Sequence, residues 1–512
     1  GAEIFTNTPK LRKYRKMILE LLLSNHCRDC TICAKNGNCR LQELALRFGI
    51  TKVRFENTAA EPDIDDSSLC IVRDRSKCIL CGDCVRMCNE VQNVGAINFT
   101  NRGSKMVVST VFDEPLGKSS CVGCGQCAAV CPTGALVVKN DTSNLWKQFG
   151  KDNVKVVAQI APAVRVAVAK AFGLSDGDVM GKIVAAMHRI GFEEVFDTVT
   201  GADLTVLEEA NEFLERLSNG ENLPLFTSCC PGWINYAELN YPSLFDNISS
   251  CKSPQQMLGA LIKNYLGKDN IYHIAVMPCT AKKHEALRPE MYTEGGRDVD
   301  AVLTVREYAK LLRSKGINLT KLQDSEYDSL FGNTSGAGRI FGASGGVTEA
   351  AIRSMYELMT GEILTDVEFK QLRGSDGIKH TEIKIKDKTI KACVVNGIKN
   401  AEKILDEVKN GTSPYTFIEI MGCPGGCING GGQPYVKPCF LPNEDNNILD
   451  TYKEKRAQAL YSEDERQKVR QSHNNKQLQK LYSDFLGKPN SHKAHELLHT
   501  TYVSRERFPK NK

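Results

Sequence analysis

The sequence predicts an α/β domain built on largely parallel sheet flanked by helices, preceded by small α+β modules in which cysteine replaces much of the apolar core. Beyond about Val154, apolar segments such as VKVVAQI, LPLFTS, IYHIAVM and YTFIEIM alternate with helical patterns such as ADLTVLEEANEFLERL and VTEAAIRSMYELMTG. That alternation builds parallel sheets through helical crossovers. Of the 21 cysteines, 13 fall within the first 131 residues, mostly at two-residue spacings. At ~150 residues per domain, 512 residues hold about three or four domains.

Taken in order, PKLRKYRKMILELLLSN (9 to 25) sets Leu11, Tyr14, Ile18, Leu21 and Leu22 at helical spacing, an amphipathic helix that leads into a cysteine loop. The expected boundaries are 1–70 for this first cysteine module, 71–145 for a paired-loop module, 146–450 for the α/β domain and 451–512 for a polar, helical C-terminal belt. The tail from Thr451 carries net charge +7 against −2 for the rest, a basic appendage on an otherwise balanced chain. No basic face interleaved with aromatics forms a nucleic-acid module. No stretch reaches the ~18 apolar residues of a membrane span, and no secretion signal opens the chain, so the expectation is a cytoplasmic protein without membrane or nucleic-acid partners.

Cys78-x2-Cys81-x2-Cys84-x3-Cys88 and Cys121-x2-Cys124-x2-Cys127-x3-Cys131-Pro132 are two copies of the bacterial ferredoxin run. Three thiolates on one loop hold three corners of a cubane, and the fourth reaches the other cluster. Cys78, Cys81, Cys84 and Cys131 therefore form one expected 4Fe-4S ligand set, and Cys121, Cys124, Cys127 and Cys88 the other. Upstream, His26-x3-Cys30-x2-Cys33-x5-Cys39 offers one imidazole and three thiolates. Structural zinc uses the same donors. The neighbouring ferredoxin runs favour iron, with Cys27 a spectator.

Farther on, Cys229-Cys230-Pro231-Gly232 follows LPLFTS, Cys279 follows IYHIAVMP, and Cys423-x3-Cys427 follows YTFIEIMG. Three apolar strands thus run directly into cysteine. Ligands gather beyond the carboxyl ends of parallel strands, so these loops can converge although nearly 200 residues separate them.

At these residues the chain resembles a known family. TSCCPGW (227 to 233), MPCTAKKHE (277 to 285) and EIMGCPGGCINGGGQP (419 to 434) are similar to the three signatures of the iron-only, or FeFe, hydrogenases. The histidine-and-three-cysteine motif and the ferredoxin pair match that family's accessory clusters in type and order. FLGKPNSHKAHELLHT (485 to 500) resembles the segment that other members carry as a small subunit or C-terminal belt. The resemblance is to the monomeric, clostridial type of catalytic chain without its N-terminal 2Fe-2S domain; this chain starts just where such a domain would end.

The resemblance implies reversible reduction of protons to H2 at an H-cluster, a 4Fe-4S cubane joined through a cysteine thiolate to a two-iron unit bearing CO, cyanide and a dithiolate bridge. It implies Cys230, Cys279, Cys423 and Cys427 as cubane ligands, with Cys427 bridging. Cys229 becomes the proton donor and acceptor, and Lys282 a hydrogen-bond donor to a cyanide. Pro162, Ala163, Gln255 and Met421 line the pocket. Ala163 stands where other members carry Ser, which removes a hydroxyl contact and leaves the backbone one. A proton relay of Cys229, Glu209, Ser249, Glu212 and Arg216 is implied, whereas the helix face places Glu208 elsewhere, and its loss is expected to be nearly silent in turnover. Also expected are three accessory 4Fe-4S clusters, a 2Fe-2S cluster in any preceding domain, ferredoxin or a similar low-potential carrier as partner, maturation proteins for the two-iron unit, and a monomer. Cluster potentials around −400 mV match the proton/hydrogen couple, about −410 mV at pH 7 from roughly 59 mV per pH unit.

Other motifs have structural readings. His495-Glu496-Leu497-Leu498-His499 fits a zinc-protease pattern, but little sequence follows it to supply a third ligand, and a packed belt helix is expected. Gly336-x-Gly338-x3-Gly342 lacks the preceding strand of a dinucleotide loop and reads as close backbone packing. Cys70, Cys251, Cys393 and Cys439 match no ligand pattern. An iron-sulfur assembly protein of similar sequence would leave Cys229, Lys282 and the complete third signature without use. A sensory role is opposed by the intact Cys229 and acidic relay, and no flavin or nucleotide motif marks the chain as part of an NAD-linked complex.

Overall fold

Two four-stranded sheets organise the larger part of the chain. The computed structural model describes residues 2–58, 61, 63–174, 179–266, 270–328, 332–386, 388–436 and 448–506. Cys439 lies outside them. By contacts the chain divides into two compact units, one running to Cys121 together with Gly125–Lys139, the other comprising Val122–Cys124 and Asn140–Glu506.

In the larger unit, the strands Ala301–Thr304, Ile271–Met277, Lys155–Ile160 and Glu194–Asp197 lie side by side in that order, parallel throughout. Val156 to Ile160 are all buried, as expected of a strand covered on both faces, where the apolar run is continuous rather than alternating. The second sheet orders Ile378–Ile385, Lys388–Asn396, Phe417–Met421 and Leu225–Phe226. Its last three strands are parallel, and its first pairs antiparallel with Lys388–Asn396. This edge hairpin was not expected from the sequence. IKHTEIKI alternates buried and exposed positions, the pattern of a strand with one covered face. Among the described residues no helix is long and apolar enough to cross a membrane.

The helix Val199–Asn219 follows the strand Glu194–Asp197 and is buried continuously from Val199 to Ala210, the condition of a helix covered on every side. One covering element is the C-terminal segment, whose helices Lys476–Leu481 and His492–Leu498 place Leu478, Leu481, Leu497 and Leu498 in one apolar cluster with Leu204, Leu207, Met257 and Leu261. The belt is therefore part of the core, despite its polar composition.

In the smaller unit, Thr8 caps the helix Pro9–Ser24 by accepting the Leu11 N–H at 3.2 Å, with Pro9 in the first turn. The apolar face read from the sequence is not the buried one. Leu19, Glu20 and Ser24 are buried, while Tyr14, Ile18 and Leu21 are exposed. Periodicity identified an apolar face, but what packs against the helix is decided elsewhere: Glu20 is drawn inward by Arg54 at 2.5 Å, and Arg12 lies over the Phe48 ring.

Gly201 marks the closest approach of the helix Val199–Asn219 to Pro254–Tyr265, since a Cβ there would strike the Pro254 carbonyl. Backbone cannot swing aside as a side chain can. Gly201→Ala is expected to destabilise the protein, the ~1–3 kcal/mol of overpacking outweighing the roughly 1 kcal/mol gain in helix propensity. Denaturant midpoints of the two proteins check this.

Candidate functional site

The strands of both sheets end at one pocket. Its lining includes Cys229 and Cys230 after Leu225–Phe226, Cys279 after Ile271–Met277, and Met421 and Cys427 at and after Phe417–Met421. Pro162, Ala163, Gln255 and Lys282 complete the side chains expected there, around about 620 Å3 of empty space. Cys423 stands close enough that its charge raises Cys427, as do those of Cys279 and Cys230. Burial is the larger cause for Cys427, and it also lifts Cys279 to about 12 and Cys229 well above the ordinary thiol value. Such thiols ionise only beside strong positive charge, which bound iron supplies. The Gly422 N–H donates to Cys230 Sγ at 3.2 Å, and Gln255 Oε1 is buried without a partner. A Cβ on Gly430 would strike the Pro278 carbonyl, so the third cysteine loop can lie against the second only with glycine there. The set of four ligand-type thiols converging on one pocket fits an iron-sulfur group rather than a single ion.

Lys282 Nζ donates to Glu285 Oε1 and Oε2 at 3.0 and 2.9 Å and to the Cys229 carbonyl at 3.1 Å. Those contacts aim a buried ammonium at the pocket, and Glu285 keeps it charged above the ordinary lysine value against the cost of burial. Ala163 lacks a hydroxyl, but its carbonyl accepts from Gln433 Nε2 at 2.9 Å, and the same nitrogen reaches the Cys427 carbonyl at 3.3 Å.

Behind Cys229 runs a chain of oxygen atoms. Glu209 is fully buried, and its carboxylate accepts the Ser228 N–H at 3.4 Å. Burial, then the charge of Glu212, pushes its carboxyl up to about 8, while a hydrogen bond with Ser249 lowers it. Ser249 Oγ donates to Glu212 Oε2 at 2.7 Å, and Glu212 Oε1 receives Arg216 Nη2 at 2.6 Å and the Ser250 N–H at 3.2 Å. The chain passes from a fully buried acid to the partly exposed Glu212–Arg216 pair.

Glu208, one turn before Glu212 and so on the same face of the helix, is not set apart by helix position; its carboxylate meets other partners, and it is no bystander. It accepts from the Tyr482 hydroxyl at 2.5 Å, the Asn490 N–H at 2.7 Å and His499 Nε2 at 3.2 Å, with no exposure of its own. Its removal would strand the buried Tyr482 and His499 and the half-buried Asn490 N–H, a cost to stability that is separate from the expectation of unchanged turnover.

In the smaller unit, Cys78, Cys81, Cys84 and Cys131 line a pocket of about 500 Å3, and all three of the other thiols raise Cys84, after burial, to about 12. Cys127 is raised by burial and then by Cys121 and Cys88. The two ferredoxin loops share one backbone path, with positive φ at Leu80 and Gly82 in the first and at Gly123 and Gly125 in the second. His26, Cys30, Cys33 and Cys39 ring a third pocket of about 280 Å3, which Cys27 also lines. His26 Nε2 is buried without a partner, and burial followed by the charge of Lys77 lowers its pKa, favouring the neutral imidazole that ligation needs. Among the described residues, no three His, Cys, Asp or Glu side chains close to the spacing of a single ion's ligands.

The decoys resolve as packing. The His495 and His499 rings stack at 3.9 Å, and His499 is engaged by Ser250 and Glu208. Added Cβ atoms on Gly336, Gly338 and Gly342 would strike Asp464, Val199 and Leu460. Cys70, Cys251 and Cys393 are buried. Sequence reasoning passed over Glu285 and Gln433 although both lie inside the signatures, because their work is to hold Lys282, Ala163 and Cys427. It also passed over Phe341, which lines the pocket.

Comparison with known proteins defines the class. Residues 154–431 match the family model "Iron only hydrogenase large subunit, C-terminal domain", and 450–505 match "Iron hydrogenase small subunit". Residues 15–54 match the iron-sulfur binding region of NADH-ubiquinone oxidoreductase G, and 77–135 a 4Fe-4S dicluster domain. The chain is 43% identical to the NADP-reducing hydrogenase subunit HndD of Solidesulfovibrio fructosivorans, over 98% of this chain and 86% of that one. It is 39% identical to iron hydrogenase 1 of Clostridium pasteurianum, over 98% and 88%. A solved structure of apo [FeFe]-hydrogenase HydA1 from Chlamydomonas reinhardtii aligns with TM-score 0.63 and 38% identity, covering 72% of this chain and 100% of that one. The chain belongs to the iron-only hydrogenases, oxidoreductases acting on hydrogen at an H-cluster.

The raised Glu209 carboxyl has a measurable consequence. The fold favours its neutral form, so its contribution to stability is complete below the ordinary value of 4.5 and is lost as pH rises through about 8. Glu209→Gln is expected to flatten the fall in stability between these values, read from denaturant midpoints across pH. An unchanged slope would assign the fall to other groups.

Proposed function

We propose that this chain catalyses 2H+ + 2e- = H2 in both directions, with Cys230, Cys279, Cys423 and Cys427 as the residues that would hold the cubane and Cys427 as the one that would also join it to the two-iron unit. The observation that carries the reading is the convergence of Cys229, Cys230, Cys279, Cys427 and Lys282 on one pocket at strand ends drawn from both sheets. When bound, the H-cluster supplies the redox centre at which electrons and protons combine. The chain's part is to hold it and bring protons. Cys229 gives and takes a proton at Sγ, since a thiol next to a ligand cysteine can reach the same pocket. Glu209, neutral at pH 7, passes its proton to Cys229 and is recharged through Ser249 from Glu212, whose carboxylate Arg216 fixes at the outer end. Lys282 would offer its ammonium to a cyanide of that group, while Pro162, Ala163, Gln255 and Met421 would shape the walls and keep water out.

In this reading, residues 1–70 carry the cluster of His26, Cys30, Cys33 and Cys39, and residues 71–145 the two clusters of Cys78, Cys81, Cys84 and Cys131 and of Cys88, Cys121, Cys124 and Cys127. Residues 146–450 carry the H-cluster, and 451–512 form the belt. The ferredoxin runs that follow in sequence support a cubane there over zinc. Electrons pass through these clusters from or to a ferredoxin-type carrier in the cytoplasm. A second reading, a catalytic subunit of an NADP-linked complex, is favoured by the name of the 43% identical relative. Reduction of the accessory clusters by purified ferredoxin alone supports the first; reduction only with an added flavin-bearing subunit and NADPH supports the second.

Three accessory cubanes and a six-iron H-cluster give about 18 iron per chain, and about 16 with no hydrogen activity when the maturation proteins are absent. Iron near 14 with one zinc would assign zinc to the His26 site. In the relay, Cys229→Ala, Glu209→Ala and Glu212→Ala are each expected to lower turnover by ~10²-fold or more, with cluster content and electron uptake retained. Full activity in all three would remove the relay.

A further inference from the structure

The relay's middle link is held by the C-terminal belt. Ser249 sits in a short connecting segment, Ser249–Lys252, before the helix Pro254–Tyr265. At its start the Ser249 N–H donates to the Phe226 carbonyl at 2.8 Å, beside a parallel bridge between Phe226 and Ile248; beyond that point no regular helix or sheet fixes the segment. The residues Leu498–Tyr502 run beside it instead, with an antiparallel bridge between Cys251 and His499. The Thr500 N–H donates to the Ser250 carbonyl and the Lys252 N–H to the Leu498 carbonyl, each at 2.7 Å. Two side chains add to this pairing. The Tyr502 hydroxyl donates to the Ser249 carbonyl at 2.6 Å, and His499 Nδ1 meets Ser250 Oγ at 2.8 Å.

We propose that Leu498–Tyr502 is the positioning element of the proton relay, with Tyr502 and His499 holding the Ser249–Ser250 backbone against Glu212. The inference rests on the relay reading above. Ser249 makes its link by a side-chain contact of 2.7 Å to Glu212, and Ser250 adds a backbone N–H at 3.2 Å to the same carboxylate. Both contacts depend on where this backbone lies, because proton transfer requires hydrogen-bond reach. His499 is itself anchored from the relay helix: Glu208, one residue before Glu209 and one turn before Glu212 on that helix, grips Nε2. One helix therefore carries two relay carboxylates and the anchor of the strap that presents the serine between them. Tyr482 and Asn490 complete the anchor on Glu208.

The test compares Tyr502→Phe, which removes one hydroxyl, with His499→Ala, the double variant, and Lys493→Ala as a belt control whose ammonium only covers the Phe485 ring. The matured enzyme is assayed for H2 evolution and its solvent deuterium isotope effect. The protein lacking the two-iron unit is examined by infrared for the protonated-carboxyl band that Glu209→Gln removes. Expected are a roughly 3–10-fold loss of turnover for each single variant, the scale of one lost neutral hydrogen bond. A larger isotope effect and a shifted carboxyl band should accompany it, with unchanged reduction of the accessory clusters and parental behaviour in Lys493→Ala. The positioning role is overturned if Tyr502→Phe and His499→Ala keep the parental isotope effect and carboxyl band, including where activity falls only with folded protein. If Glu209→Gln and Glu212→Gln are also fully active, the relay reading itself has failed; if they are inactive while the belt variants are parental, only the positioning role has.

Discussion

Everything in the larger unit answers to the burial of several ionisable thiols at one place. Cys229, Cys230, Cys279, Cys423 and Cys427 crowd the carboxyl ends of strands, where burial and mutual repulsion raise Cys279 to about 12 and Cys229 and Cys427 well above the ordinary range. An apolar interior does not tolerate such groups as thiolates unless positive charge sits among them. Two sheets, rather than one, supply the loops, so each cysteine arrives on a strand end fixed by its own core. The signature glycines follow from the same crowding, because Gly430 lies against backbone from the second cysteine loop.

A site sealed well enough to hold iron away from water must still admit protons, and in the proposed reading they travel along a single helix. Val199–Asn219 is buried along its first half and partly exposed at Glu212 and Arg216. Its inner acid, Glu209, is kept neutral by the burial that closes the site, which lets a carboxyl act as a proton donor at pH 7. The third acid, Glu208, one turn before Glu212, is taken up instead by Tyr482, Asn490 and His499. In the proposed reading, three carboxylates within five residues thus divide between transfer and attachment according to the partners each meets.

Much of this was legible in the sequence because metal ligands cluster locally. The x2 spacings of Cys78–Cys84 and Cys121–Cys127 are properties of one loop, and the α/β alternation put Cys229, Cys279 and Cys423 at strand ends. What escaped has a common physical character. Tyr502 and His499 act on Ser249 and Ser250 from about 250 residues away, and no local pattern announces such a pairing. Glu285 and Gln433 were in view but hold other residues, a role that shows only once their partners are placed. The N-terminal helix was read by its stripe, yet Tyr14, Ile18 and Leu21 of that stripe are exposed and Glu20 is inside, since a charged residue with a partner such as Arg54 can be buried at lower cost.

The central claim is that the strand-end pocket holds an H-cluster whose two-iron unit is bridged through Cys427. Infrared spectra of the protein matured with the family's dedicated proteins test it most directly, because bound CO and cyanide absorb where protein groups do not. The account predicts CO and cyanide bands in the matured protein, their absence without maturation, and their loss in Cys427→Ala while accessory-cluster signals persist. A matured, fully iron-loaded protein that shows no such bands, or one whose bands survive Cys427→Ala, would contradict it.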